Sequence, residues 1–225
     1  MSLLKIADNL YTFEFKQKIM PGVHFPARST IIKMDGGEVA IISPGPFTPE
    51  AVGEIKKLGD SFYIIAPNLF HHFYFLKAAE SFPKHRLFGP HALGKKIKHL
   101  AGQFEDLATL PKSVISHLAP QKVEGNKAMQ EWVFFHGASK TLIVTDLVFN
   151  MKDKPLLTRM VLGMAGAYNK LGQSKLVKMI TDDKELFSRS IQSLASYDLQ
   201  RLIMAHGDII DDGSEWKDFA STYKG

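Results

Sequence analysis

The stretch Ala66-Pro67-Asn68-Leu69-Phe70-His71-His72 is the most informative part of this sequence. It follows the apolar run 62–65, which predicts a short buried strand, and it precedes a helical pattern over 72–80. In open α/β folds the loops that follow strand ends face the ligand crevice. Two adjacent imidazoles in such a loop therefore indicate a metal site.

Length and composition limit the kinds of metal site that are available. The chain has 225 residues, of which 45% are hydrophobic, and it shows no break in composition. We therefore expect one domain over residues 1–225. The absence of cysteine excludes thiolate zinc sites, iron–sulfur clusters, disulfides and cysteine nucleophiles. Any metal must be bound by His, Asp, Glu or water.

Charge and hydropathy favour a cytoplasmic protein with a small-molecule substrate or ligand. The formal charge is +5, but the lysines are scattered without interleaved aromatic residues, so we expect a solvated basic face and no nucleic-acid partner. No segment resembles a signal peptide or reaches the roughly 20 apolar residues of a membrane span. The apolar pattern 155–168 predicts a core or lid helix, with a subunit contact as the alternative. The oligomeric state is not predicted.

The coarse secondary-structure pattern repeats in two halves. Strands are predicted over 10–15, 29–34, 38–43, 62–65 and 86–88 in the first half, and over 114–118, 131–135, 141–145 and 201–205 in the second. Helices are predicted over 49–58, 72–80, 155–180 and 183–196, and from Ser214 onward, with a capping-box-like pair at Asp182 and Glu185. His24 is placed in a surface loop over 21–26. Two β-rich halves, each followed by helices, predict an α/β sandwich of two mixed sheets with outer helices.

The order of these elements and motifs resembles the metallo-β-lactamase superfamily over essentially the whole chain. Shared features are a strand followed by a His-containing loop, a strand that ends in Thr145-Asp146, and a late strand that ends in His206-Gly207. The resemblance implies a four-layer αββα sandwich. Within the superfamily, the sequence is most similar to an uncharacterised lactamase-like family with the same Pro-Asn and His-His arrangement.

The superfamily signature, Thr-His-x-His-x-Asp-His, lies over residues 66–72 in degenerate form. Pro67 and Leu69 replace its first two histidines, His71 replaces its aspartate, and His72 matches its last histidine. A third histidine usually stands in a later turn, where this chain has Lys127. The resemblance therefore implies that the first metal position has lost its imidazoles.

The second metal position retains ligands. The resemblance implies a set of His71, His72, Asp146 and His206, which suits zinc first and also iron, nickel or manganese. Asp146 and Lys127 are the predicted catalytic residues, since the ammonium of Lys127 could hold Asp146 or a substrate oxyanion. Each of these roles has an alternative. Lys127 could be a solvated turn residue, and one of the two histidines His71 and His72 could only cap a helix. His206-Gly207 could be a plain strand-to-turn junction.

Two functional hypotheses follow. The first is a mononuclear metal-dependent hydrolase of unknown substrate, with a metal-bound hydroxide as nucleophile. The second is a catalytically inactive member of the same fold that binds a small molecule or partner without a metal. A nucleic-acid-processing variant is a weaker third option that depends on net charge alone.

Overall fold

The computed structural model describes residues 2–20, 23–151 and 171–224. The predicted helical pattern over 155–168 lies outside these residues. The contacts between Cα atoms divide the chain into two compact units, residues 1–15 with 28–119, and residues 16–27 with 120–225. The prediction of one domain over residues 1–225 stays a prediction.

The first unit is built on a mixed sheet. Its strands among the described residues are β1 Leu4–Ala7, β2 Leu10–Met20, β3 Val23–Lys33, β4 Glu38–Ile42, β5 Ser61–Ile65, β6 His85–Gly89 and β7 Glu105–Asp106, and its helices are α1 Pro49–Lys56, α2 Phe75–Ser81, α3 Leu93–Lys96 and α4 Lys112–Ile115. The strands lie side by side in chain order. The far ends of β2 and β3, residues 16–27, belong to the second unit.

Strands β4 and β5 determine where the first unit can carry a site. They pair in parallel, with Ile42 opposite Ile65, and both are apolar runs that are buried along most of their length. Such runs are typical of parallel strands covered on both faces. Because Ile42 and Ile65 end their strands side by side, the residues that follow them are neighbours.

The second unit contains a smaller sheet. Its described strands are β8 Leu118–Lys122, β9 Trp132–His136, β10 Thr141–Val144 and β11 Arg201–Met204, and its described helices are α5 Lys175–Ile180, α6 Lys184–Ser193 and α7 Gly213–Thr222. The strand order is β11-β10-β9-β8. Strands β9 and β10 form the predicted antiparallel hairpin, and β10 pairs in parallel with β11, with Val144 opposite Met204.

Four local predictions were wrong. The segment 114–118 is not a strand: α4 covers Lys112–Ile115, with Val114 buried and Ile115 exposed, and β8 begins only at Leu118. Pro111 precedes α4 in an extended conformation, which fits the start of a helix better than the interior of a strand.

The other three errors concern the ends of elements. His24 lies in β3 rather than in a loop. Helix α2 begins at Phe75 instead of residue 72, because His71 and His72 belong to the turn before it. The N-cap of α6 is Asp183, whose carboxylate accepts from the Leu186 amide, whereas Asp182 accepts from the Lys127 amide.

Two mixed sheets with helices confirm the predicted α/β class. Within the described parts of the chain, no helix has the length and apolar character that crossing a membrane requires.

Candidate functional site

The loop after β5 is closed by an asparagine side chain. Asn68 is fully buried, and its Oδ1 accepts hydrogen bonds from the amides of Phe70 at 2.8 Å and His71 at 2.9 Å. This arrangement is an Asx turn, in which the side chain replaces a backbone carbonyl. Pro67 and Leu69, which the resemblance aligns with imidazole positions of the family, are both buried. Hydrogen bonds of the chain itself therefore hold the turn that precedes His72.

Ser43 contacts the His71 ring. It is the first residue after β4, it is 4% exposed, and its Oγ lies 2.6 Å from His71 Nδ1. The parallel register of β4 and β5 explains this contact, because both residues follow adjacent strand ends. With Nδ1 engaged, Nε2 is the ring atom that can bind a metal. The serine hydroxyl thus contacts the imidazole itself.

The backbone at Ser43 is strained. Its φ angle is +54°, in the left-handed region that costs a non-glycine residue about 1–2 kcal/mol. Glycine would adopt this conformation without the cost. The strain identifies Ser43 as a position to test for function.

His72 has different surroundings from His71. Its ring stacks on Phe73, with centroids 4.9 Å apart and planes at 20°, and its buried Nδ1 has no hydrogen-bond partner within the described part of the chain. Burial and the positive charge of Lys96 lower the pKa of His72 below its ordinary value, which favours the neutral ring. The predicted role of His72 as a ligand stays a prediction.

Asp146 and His206 form a pair at the ends of β10 and β11. Each stands two residues beyond a strand end, and these ends are opposite one another in the parallel register. His206 Nε2 lies 3.4 Å from Asp146 Oδ1, and both side chains are mostly buried, at 12% and 11% exposure. His206 Nδ1 lies 2.8 Å from the Pro26 carbonyl oxygen. Since a carbonyl can only accept, Nδ1 carries a proton.

The proton on His206 Nδ1 determines what a favourable contact between His206 and Asp146 requires. In a neutral His206 ring, Nε2 is then an acceptor that faces a carboxylate oxygen, which is also an acceptor. Either a second proton on the ring or a metal cation between the two groups would relieve this opposition. The donor set therefore fits a divalent cation.

Two phenylalanines hold the His206 ring. Phe149 stacks on it with centroids 5.6 Å apart and planes at 8°, and Phe25 meets it edge-on at 4.9 Å. These rings limit rotation of the imidazole and keep water away from it.

Gly207 allows a close approach of the backbone beside His206. Its φ angle is +117°, and a Cβ atom there would lie 2.2 Å from the Asn150 carbonyl oxygen. That oxygen accepts from the Asp208 amide at 2.7 Å. The His-Gly pair is thus a strand-to-turn junction, as the plainer interpretation of the sequence held, and the junction directs His206 toward Asp146.

Glu131 is a buried residue beside the candidate site that sequence reasoning missed. It is fully buried, and its carboxylate accepts from the Thr145 amide at 2.7 Å and the Asp146 amide at 2.9 Å. The hairpin register, with Phe134 opposite Ile143, brings residue 131 next to residue 146. A charged residue at the start of an apolar strand was the available signal, since buried carboxylates need partners.

Lys127 contacts Asp182. Its side chain is 89% exposed, with Nζ 3.4 Å from Asp182 Oδ2, and its amide donates to Asp182 Oδ1 at 2.8 Å. These hydrogen bonds, the backbone one first, lower the pKa of Asp182. The predicted role of Lys127 beside Asp146 stays a prediction.

The comparisons with known proteins identify the fold. The sequence matches no protein-family model and no curated protein sequence at a significant level. Solved metallo-β-lactamase structures do match. DIM-1 in a crystal exposed to ceftazidime is 16% identical, has a TM-score of 0.63, and matches over 98% of this chain and 96% of that chain.

Two further structures agree. The metallo-β-lactamase from Pontibacter korlensis is 14% identical, with a TM-score of 0.62 and 99% of both chains covered. FIM-1 from Pseudomonas aeruginosa in its mono-zinc form is 9% identical, with a TM-score of 0.65, and matches over 98% of this chain and 92% of that chain. The protein therefore has the α/β fold of the metallo-β-lactamase superfamily, and the fold inferred from the sequence is confirmed.

Proposed function

We propose that this protein is a metal-dependent hydrolase that binds one divalent cation through His71, Asp146 and His206. These residues offer two imidazole nitrogens and one carboxylate oxygen, a set able to hold a metal ion. Zinc is the proposed metal, with iron, nickel and manganese compatible with the same donors. The mono-zinc form of FIM-1 is a precedent within the fold for a single ion.

One observation carries the proposal. Both histidines contact a protein oxygen through Nδ1, His71 at Ser43 and His206 at Pro26. Metal-ligating histidines almost always have such a second partner, which fixes the ring and leaves the other nitrogen for the metal. Among the described residues, His72 does not belong to this donor group, so we leave it out of the proposed ligand set.

The protein's own residues would each have a defined task. A bound divalent cation supplies Lewis acidity and activates water at neutral pH. Glu131 fixes the backbone of Asp146 through two amides, and Ser43 orients His71. Phe25 and Phe149 exclude water from His206. Carbonyl and phosphoryl compounds are the substrate types that this chemistry would serve.

The test is the metal content together with thermal stability. Protein from zinc-supplemented medium should contain about one equivalent of metal by elemental analysis, and chelator should lower Tm, because a ligand at 100 times its Kd stabilises by about 2.7 kcal/mol. His71→Ala and His206→Ala should lose the metal. His99→Ala is a matched control, since this histidine is exposed and lies outside the proposed ligand set.

A second function is favoured by the geometry of the Asp146–His206 pair. A protonated His206 would form an ion pair with Asp146 and need no metal. The protein would then be a catalytically inactive member of the fold that binds a small molecule. Metal-free protein whose Tm is unchanged by chelator would support this function and overturn the first.

A further inference from the structure

The loop that carries His71 also exposes aromatic surface. Phe73 is 74% exposed, which is unusual for a residue of this size. Phe70, on the same loop, is half-buried. These two rings border the turn that presents His71 and His72.

Lys96 approaches this loop from α3. Its Nζ lies 4.5 Å from the centre of the Phe70 ring and donates to the Leu69 carbonyl at 2.7 Å. A cation over an aromatic face is attracted by the negative face of the ring quadrupole, and the ammonium keeps further donors for other partners. We call Phe70, Phe73 and Lys96 the aromatic–lysine patch.

Lys96 differs from other lysines with defined contacts. Lys84, Lys122 and Lys140 each pair with a carboxylate. In the part of the chain that the structure describes, no carboxylate pairs with Lys96, and burial alone lowers its pKa. The patch therefore combines apolar surface with a positive charge that no acidic side chain neutralises.

We propose that the aromatic–lysine patch binds the anionic group of substrates that carry a carboxylate or phosphate beside an aryl or other flat apolar group. The inference rests on the proposed function, because it assigns a substrate class to the loop that carries the proposed ligand His71. An ammonium supplies charge-assisted hydrogen bonds to such an anion. An exposed ring supplies stacking surface for the apolar part.

The patch could instead only hold the loop in place through the Leu69 carbonyl. Lys96→Arg and Lys96→Gln separate these roles, because arginine keeps the charge and glutamine removes it. Lys95→Gln is the matched control, since Lys95 is the neighbouring exposed lysine on the same helix. Melting temperatures of all three variants reveal any loss of structure.

The experiment measures binding of phenylphosphonate, benzoate and the neutral probe benzyl alcohol by NMR titration. Each titration is done with the protein as purified and again after EDTA treatment. Phenylphosphonate and benzoate should bind more tightly than benzyl alcohol, and less tightly as salt is added. Lys96→Gln should weaken phenylphosphonate binding about tenfold, Phe73→Ala should weaken it about threefold, and Lys96→Arg should restore most of the loss.

Equal binding of phenylphosphonate to Lys96→Gln and to the unaltered protein would overturn the inference. Equal losses in Lys95→Gln and Lys96→Gln would also overturn it. Stronger binding of benzoate than of phenylphosphonate would identify a carboxylate as the preferred anion, and the reverse a phosphate. Because binding after EDTA does not involve a metal, this result stands or fails separately from the metal content that tests the proposed function.

Discussion

Leu69 and His71 lie two residues apart on one loop, yet their side chains have different surroundings. Leu69, which the resemblance aligns with an imidazole position, is buried, and its carbonyl accepts from Lys96. His71 is half-buried and is held at Nδ1 by Ser43. The same contrast separates Lys127, exposed and paired with Asp182, from His206, which is enclosed and directed at Asp146.

Buried asparagines hold two of these loops. Asn68 Oδ1 accepts from the amides of Phe70 and His71, so it holds the loop of Leu69 and of His71 alike, and Asn126 Oδ1 accepts from the Met129 amide beside Lys127. Two features beside the proposed ligands cost stability, the left-handed backbone of Ser43 and the buried Glu131 carboxylate. A left-handed backbone alone does not distinguish these positions, because Gln130 near Lys127 also has a positive φ angle. The Ser43 hydroxyl and the buried Glu131 carboxylate are therefore the groups to test for function.

The largest expected effect comes from removing a retained donor. His206→Ala should weaken zinc binding at least ~100-fold, because four-ligand zinc sites bind with about 10–16 kcal/mol and each ligand contributes a large share. Competition titration against a chromophoric chelator measures this affinity. The zinc affinity of Lys127→Ala, where the resemblance implies a lost histidine, should stay within about twofold of that of the unaltered protein. A large loss of zinc affinity in Lys127→Ala would contradict the contrast between Lys127 and His206, and it would support the role predicted for that lysine from the sequence.

The second effect concerns the Glu131 carboxylate, which accepts from the Asp146 amide. Glu131→Gln should lower the free energy of unfolding by about 2–3 kcal/mol, because one buried amide loses its acceptor and meets an NH₂ group instead. Urea denaturation followed by circular dichroism measures the change. Glu124→Gln, a partly exposed glutamate paired with Lys122, should change it by less than about 1 kcal/mol. Similar losses of unfolding free energy in both variants would show that the buried Glu131 stabilises the protein no more than a partly exposed glutamate does.

Asn126, beside Lys127, should matter for stability alone. Asn126→Ala should lower the free energy of unfolding by about 1–2 kcal/mol, since the buried Met129 amide loses its acceptor. Its zinc affinity should match that of the unaltered protein. Thermal melts and the same chelator competition measure the two quantities, and a coupled loss of metal would contradict the separation of the two positions.

The smallest effect tests the strain at Ser43. Ser43→Ala and Ser43→Gly should both weaken zinc binding about tenfold, because the imidazole loses its orienting partner. Ser43→Gly should be more stable than Ser43→Ala by about 1 kcal/mol, because glycine relieves the left-handed backbone. Equal stability of the two variants would contradict the strain at residue 43. Unchanged zinc affinity in both would leave the hydroxyl with only a packing role.

Most of the architecture could be predicted from local patterns. The apolar runs at 38–43 and 62–65, the neighbouring strands predicted over 131–135 and 141–145, and the helix predicted from residue 49 all appear in the structure. Segment 114–118 could not be predicted correctly, because a short apolar run fits a helical turn as well as a strand. The partners of the site residues were also missed, because hydrogen bonds such as Pro26 to His206 join residues 180 positions apart.

The sequence by itself determined the α/β class, the loop after β5 with its two histidines, and the positions of Asp146 and His206 at strand ends. These features depend on periodicity and turn chemistry over short stretches of chain. Only the tertiary structure decided that His71 contacts Ser43, that Glu131 supports Asp146, and that Lys127 contacts Asp182. The physical reason is that side-chain partners depend on strand register and burial, which bring distant residues together and which no local pattern records.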